Sequence, residues 1–258
     1  LIFCAFGADR EPVRNRQMRA KFVKIRIGIT QMQMNFILDG GVVSFEIGHC
    51  TVAGWTGRDA KAIQHHIDEL AAIGVKPPST VPLYYRTSFG MLTQAPVIEV
   101  VGKGTSGEVE PLVIAKDGVL YLGLASDHTD RELEAHSVAL SKQICAKPVA
   151  NTIWKFDDVA DHLEQIELKS WIREGDSDEW VPYQEGTIAS IRPLSDLIEG
   201  SGLKSAGANG KAAAMLCGTF GAKGGVRPAR SFKMAMHDPV RGLSITHSYD
   251  IVELPEIA

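Results

Sequence analysis

The chain lacks a strong charge of either sign: 27 lysines and arginines against 31 aspartates and glutamates leave a formal net charge of -4 over 258 residues. The basic field that draws a protein onto nucleic acid or anionic lipid is therefore missing, and neither is an expected partner. Cysteine is sparse. Cys4, Cys50, Cys145 and Cys217 are scattered, with no C-x-x-C pair and no His–Cys cluster at zinc-ligand spacing, so they read as reduced thiols of a cytoplasmic protein. No run of 18 apolar residues occurs, which excludes a helical membrane span. Internal repeats and low-complexity linkers are also missing. What remains is 45% hydrophobic and 22% charged residues, an ordinary globular balance in a chain long enough for one large domain or two small ones.

Residues 1–33 differ from the rest. Arg10, Arg14, Arg16, Arg19, Lys21, Lys24 and Arg26 face only Asp9 and Glu11, whereas the remainder holds 20 basic and 29 acidic residues. The segment reads either as an Arg-rich targeting peptide or as an extension upstream of Met34, and in both cases outside the fold. The expected organisation is then a single catalytic domain over 34–258, with small N-terminal strands over 34–55 and a core over 56–258.

From Met34 onward short strands dominate. "NFIL" and "VVSFEI" flank Asp39-Gly40-Gly41, a hairpin signal, and "CTVAGW" reads as a further strand. "GRDAKAIQHHIDELAAIG" is the best helix: Asp59 can cap it, Ile63, Ile67 and Leu70 keep the helical rhythm, and Gly74 with Pro77 and Pro78 stops it. "VPLYYR" and "APVIEVVG" are strand-like, "DRELEAHSVALSKQICA" and "FDDVADHLEQ" helical. "ELKSWIRE" and "EWVPYQEGTIASI" alternate like strands, "LSDLIEG" is a helical turn, and "AAMLCGTFG" is a buried strand entering a glycine-rich loop. A hairpin around Pro239–Gly242 closes the chain. The expected class is α+β, mostly β.

One stretch, "SGEVEPLVIAKDGVLYLGLASDHTDRE", carries acids at both ends and apolar residues between. Asp117-Gly118 is the pair most typical of a type I′ hairpin turn. With that turn, Lys116 pairs with Val119, and counting back along both strands brings Asp127 opposite Glu108. Opposed residues share a face, as do residues two apart, so Glu110 joins them. Three converging carboxylates repel and call for a cation, for which Mg²⁺, Mn²⁺ or Ca²⁺ suits an all-oxygen set. The alternative places Glu108 and Glu110 on the solvated face of an edge strand and Asp127 in a surface turn.

The Glu-x-Glu at 108–110, followed by "SDHTDRE", resembles the metal-binding signature of the fumarylacetoacetate hydrolase (FAH) superfamily, Glu-x-Glu and then Asn-Asp-x-Ser/Thr-x-Arg-Asp. "GRDAKAIQHHIDELAAIGVKPPSTVPLYYR" is similar to that family's Gly-x-Asn-Tyr-x-x-His-x-x-Glu segment. "YQEGT" is similar to its Gln-Asp/Glu-Gly-Asn-Thr, and "MLCGTFGAKGGV" to its Gly-Thr-Pro-x-Gly-Val loop. The order is kept over residues 52 to about 250. The resemblance implies a mixed β-roll or β-sandwich, usually a homodimer, with one divalent ion held by Glu108, Glu110 and Asp127.

The substrates it implies are small 2-oxo acids. The reactions are C–C bond hydrolysis of an acylpyruvate-like compound through a metal-stabilised enolate, or decarboxylation or dehydration on the same scaffold; a non-catalytic 2-oxo acid binder is a further possibility. The resemblance assigns His66 and Glu69 as the lid pair that activates water, with His65 competing for the role. Lys147 is the lysine at the substrate or developing oxyanion, Lys142 its substitute as a substrate contact. Arg131 is a fork-shaped counter-charge at the acidic cluster and substrate site, and Gln184 and Thr219 are hydrogen-bond donors to the substrate carboxylate. The chain departs from the pattern in several places. Ser126 precedes Asp127 where an Asn is usual, and Glu132 replaces the Asp after the arginine. The lid segment is longer, and a hairpin fills the shorter interval between Glu110 and Asp127. A divergent branch is implied.

Overall fold

The computed structural model describes residues 31–257 apart from 73 and 75. Both readings of the basic segment fall almost wholly on residues outside that range, except at its end. Strand β1 (Met32–Leu38) begins two residues before Met34, because Met32 and Gln33 continue the pairing with Ile47 and Glu46 of β2 (Gly41–Gly54). Asp39 and Gly40 turn this hairpin with φ of +52° and +79°. The "CTVAGW" segment is not a separate strand; it carries β2 on without a break to Gly54.

Helix α1 (Ala60–Ala72) starts where Asp59 accepts hydrogen bonds from the Lys61 and Ala62 amides at 2.9 and 3.2 Å. Strand β3 (Leu83–Thr87) then pairs back onto β2. After it come β4 (Leu92–Thr93), β5 (Val97–Val101) and β6 (Thr105–Ser106), then the hairpin of β7 (Val109–Lys116) and β8 (Val119–Ser126). The pair β9 (Thr129–Asp130) leads into the short helices α2 (Arg131–Glu134) and α3 (Val138–Ile144), and β10 (Lys147–Pro148) and β11 (Trp154–Lys155) follow. The segment 156–165 is not a helix of the expected kind. It forms two 3₁₀ turns, Phe156–Asp158 and Ala160–Gln165, and His162 leaves helical geometry at φ -136° with its ring 3.0 Å from Asp238 Oδ2. The remainder is β12 (Glu167–Arg173), β13 (Val181–Thr187), α4 (Leu194–Gly200), α5 (Leu203–Ala206), β14 (Ala212–Leu216), β15 (Ser231–Asp238) and β16 (Leu243–Leu254).

The strands form two principal sheets. One runs β1-β2-β14-β7-β8-β11 with β3 attached to β2; the other runs β13-β12-β15-β16-β5. The odd-numbered residues of β7, Val109, Val113 and Ala115, pack with Leu168, Phe232, Met234 and Tyr249 of the second sheet. The even-numbered ones, Leu112 and Ile114, pack with Phe36, Phe45, Ile47 and Leu216. Strand β7 is thus buried on both faces, which is why it reads as an apolar run rather than an alternating one. Its N-terminal end carries its one acid, Glu110, with Glu108 just before it. Mostly β with few helices, this is an α+β fold.

Candidate functional site

The β7–β8 hairpin turns at Asp117 and Gly118, with φ of +49° and +87°, the two positive values a type I′ turn requires. Asp117 Oδ1 accepts the Gly210 amide at 2.9 Å, which fixes the turn against the end of the α5 segment. Lys116 pairs with Val119 and Val109 with Ser126. One step further the Asp127 amide donates to the Glu108 carbonyl at 3.0 Å. Oxygens of Glu108, Glu110 and Asp127 consequently lie within 4.8 Å of one another. The edge-strand alternative is corrected: β7 sits between β14 and β8, Glu110 is 2% exposed, and Asp127 is fully buried.

Three cations surround the three acids. Arg131 places Nη2 2.9 Å from Glu108 Oε1, donates from Nη1 to Glu134 at 2.8 Å and from Nε to Ser106 Oγ at 2.7 Å. Lys142 Nζ lies 2.5 Å from Asp127 Oδ2. Lys147 Nζ lies 3.0 Å from Asp127 Oδ1 and donates to the His128 carbonyl at 2.6 Å. Burial alone would raise the Asp127 carboxyl; Lys142 and then Lys147 outweigh it and hold the group ionised below the usual range. Glu110 has no such partner. Burial, and next the charge of Asp127, push its carboxyl well above the usual range. The one amide that offsets this is Gly218 N–H, which donates to Glu110 Oε2 at 2.8 Å.

That amide reaches Glu110 because of glycine. Gly218 has φ +93°, and a Cβ there would overlap the Thr56 hydroxyl. The neighbouring Thr219 donates to the Val109 carbonyl at 2.7 Å and accepts from Gln184 Nε2 at 2.9 Å. Gln184 also donates to the Phe220 carbonyl, and its Oε1 accepts from the Val109 amide and Ser170. Gln184 and Thr219 therefore bind the glycine-rich loop to β7 directly below the acids, with all four hydrogen-bonding positions of the amide group engaged inside the protein.

Sequence reasoning missed the layer behind the cluster. The Tyr249 hydroxyl shares hydrogen bonds with Ser126 Oγ at 2.9 Å and His128 Nδ1 at 3.0 Å, and His128 Nε2 meets Thr105 Oγ1 at 2.9 Å. Ser126 in turn accepts the Glu108 amide. Burial, then Lys147 and Arg131, depress His128 to about 3, so the ring is neutral. No local signal could have found Tyr249, which is 123 residues from Ser126. His66 and Glu69 lie within α1, and their side chains fall outside the described residues.

The donor set suits a hard divalent ion. It is all carboxylate oxygen, converging within 4.8 Å, and Glu110, buried beside the charge of Asp127, sits in surroundings that disfavour its own charge and that an added cation would relieve. Among the described residues no other group of three such ligands is found.

Residues 53–249 match the model of the DUF2848 family, described as a protein of unknown function. No curated protein matches the chain. Among solved structures, fumarylpyruvate hydrolase from Pseudomonas aeruginosa, in complex with Mn²⁺ and pyruvate, is similar over 87% of this chain and 97% of its own, with TM-score 0.57 and 11% identity. 2-Keto-3-deoxy-D-arabinonate dehydratase, complexed with magnesium and 2,5-dioxopentanoate, is similar over 83% of this chain and 77% of its own, with TM-score 0.54 and 13% identity. Such identities carry the fold and not the reaction. The chain belongs to the DUF2848 family, and it shares the fold of these hydrolase and dehydratase structures, the fold that the resemblance to the fumarylacetoacetate hydrolase superfamily implied.

Proposed function

We propose that the protein is a divalent-metal-dependent enzyme acting on a small 2-oxo acid, with C–C bond hydrolysis of an acylpyruvate-like substrate as the first reading. The observation that carries it is the buried convergence of Glu108, Glu110 and Asp127 within 4.8 Å. These three would hold Mg²⁺ or Mn²⁺, with Ca²⁺ as a further candidate. When bound, the ion supplies Lewis-acid polarisation of the substrate's keto oxygen.

The chain's own residues supply the rest. Arg131 fixes the rotamer of Glu108, and the Gly218 amide fixes that of Glu110, so the ligands are oriented in advance. Lys147, fully buried between Asp127 and the His128 carbonyl, holds a positive charge beside the place where negative charge develops on the substrate. The loop anchored by Gln184 and Thr219 closes the floor beneath the acids, and for either to reach the substrate carboxylate it would have to give up a donor now engaged inside the protein. His66 and Glu69, three apart on α1, are the proposed base and its orienting carboxylate, which would take a proton from water.

Dehydration of a sugar-derived 2-oxo acid is the second reading, supported by the dehydratase among the similar structures. It needs a base at the substrate's C–H and no hydrolytic water. A panel of acylpyruvates, oxaloacetate-like acids and 3-deoxy-2-oxo sugar acids, assayed with Mg²⁺ or Mn²⁺ and with a chelator control, separates the readings. Chelator-sensitive turnover of acylpyruvates supports the first. Turnover confined to the sugar acids favours the second, and equal turnover with and without chelator would sink both.

A further inference from the structure

Helix α3 packs Val138 and Ala139 against the core but turns its two larger apolar residues outward. Leu140 and Ile144 are each 50% exposed, whereas Lys142, between them in sequence, is 7% exposed and directed at the acids. The ordinary fate of an isolated lysine on a seven-residue surface helix is solvent, with the leucine and isoleucine inside. Here the charge is inside. Its Nζ lies 2.5 Å from Asp127 Oδ2, and its field also reaches Glu108 and Glu110.

Charge balance shows what this does. With Lys142 in place, three cations, Arg131, Lys142 and Lys147, already stand among Glu108, Glu110, Asp127 and Glu134, the last sharing Arg131 with Glu108, with no added ion. A divalent ion added with all three cations retained would crowd positive charge beyond what the four carboxylates balance in a largely buried site, at a desolvation and repulsion cost. The ion would also need an oxygen of Asp127, one of which Lys142 holds. Lys147 is not the group that yields, because its second bond ties it to the His128 carbonyl within the core and it is fully buried. Arg131 is pinned by Ser106 and Glu134. Lys142, on a helix of seven residues, makes its hydrogen bond to Asp127 and is held by no second group, so of the three cations it has the fewest ties to break.

We infer that Lys142 is a tethered cation that occupies the acidic cluster in place of a divalent ion, so that ion binding and the Lys142–Asp127 ion pair exclude one another. The inference rests on the proposed metal site and adds to it a built-in competitor, which keeps the metal-free protein folded and sets the ion affinity. Lys142 is then a positioning residue for the site, displaced before any ion is held.

The test is direct Mn²⁺ binding, followed by the free-ion electron paramagnetic resonance signal, on the full chain and on Lys142→Met and Lys142→Gln, with thermal unfolding of each with and without Mn²⁺. The expected result is Mn²⁺ affinity at least ~10-fold tighter in both variants than in the parent. The metal-free variants should melt below the parent and be restored further by Mn²⁺ than the parent is. Lys142→Gln guards against misfolding of the methionine variant, since it keeps a donor to Asp127 without the charge. If the parent binds Mn²⁺ as tightly as both variants do, or more tightly, the competition is refuted while the metal site stands. If none of the three binds Mn²⁺ at millimolar concentration, the metal site itself fails and the inference with it.

Discussion

Gly218→Ala concentrates the dependence of the site on the fold into one methyl group. Two costs follow from the structure. The residue's φ of +93° is one that a Cβ opposes, at about 1–2 kcal/mol. The added methyl would also overlap the Thr56 hydroxyl and lie 2.9 Å from Thr56 Cβ, two residues beyond β2, where Thr56 is 3% exposed and has little room to move. Overpacking of this kind costs about 1–3 kcal/mol. The sum is about 2–5 kcal/mol of stability. Any shift of the loop moves the Gly218 amide away from Glu110 Oε2, so divalent-ion affinity falls as well. Urea unfolding of Gly218→Ala, Thr56→Ala and the double variant resolves the two costs. The double variant should be more stable than additivity requires by about 1–3 kcal/mol, because the contact with the hydroxyl is gone while the backbone cost remains. A single variant within about 0.5 kcal/mol of the parent, or a double variant that is strictly additive, would refute the account of why glycine stands there.

Further outcomes follow from the same geometry. Tyr249→Phe removes the hydroxyl shared by Ser126 and His128 in a fully buried layer, and should cost about 1–3 kcal/mol in denaturant unfolding; a loss below about 0.5 kcal/mol would contradict the network. His247, beside Gln94, Asn151 and Lys233 around a cavity of about 350 Å³, has a buried Nε2 without a hydrogen-bond partner, and burial lowers its pKa. The unfolded chain then takes up a proton first as pH falls through the ordinary histidine range, so stability declines from there until the lower folded value is reached. His128, which is depressed further, adds to the same decline, so His247→Gln should reduce the slope without abolishing it in unfolding measured between pH 7 and 5, and an unchanged slope would remove His247 as a contributor. Arg131→Lys keeps the charge but not the fork, and should loosen Glu108, weakening Mn²⁺ binding by ~10-fold; affinity equal to the parent's would show that the fork is not what orients the ligand.

The hairpin that builds the site was legible in the sequence because its information is local. Asp117-Gly118 admits a two-residue turn with two positive φ values, and the register from that turn alone brings Glu108, Glu110 and Asp127 together. The cap at Asp59 and the closing hairpin of β15 and β16 are local in the same sense. What escaped depends on distant pairing. Strand β5 lies parallel to the end of β16, some 150 residues away, and no turn chemistry records that. The same distance hid Tyr249 behind Ser126. In sequence Lys142 reads as a substrate contact, and its pairing with Asp127 was not legible there, because α3 turns Leu140 and Ile144 outward and hydrophobic periodicity points the lysine away from the core. The 3₁₀ turns over 156–165 likewise follow from the contact of His162 with Asp238, which only the folded chain supplies. The need for a compensating charge at the acids was read correctly from repulsion, but the chain itself offers three cations, which the spacing of residues could not show.

The central claim is that Glu108, Glu110 and Asp127 hold one divalent ion, and anomalous scattering from Mn²⁺-soaked crystals tests it most directly. The account predicts a single anomalous peak about 2.0–2.3 Å from an oxygen of each of the three carboxylates, with the Lys142 ammonium withdrawn from Asp127. A protein saturated with Mn²⁺ in solution whose peak lies elsewhere, or crystals that show no peak at these acids at millimolar Mn²⁺, would contradict it.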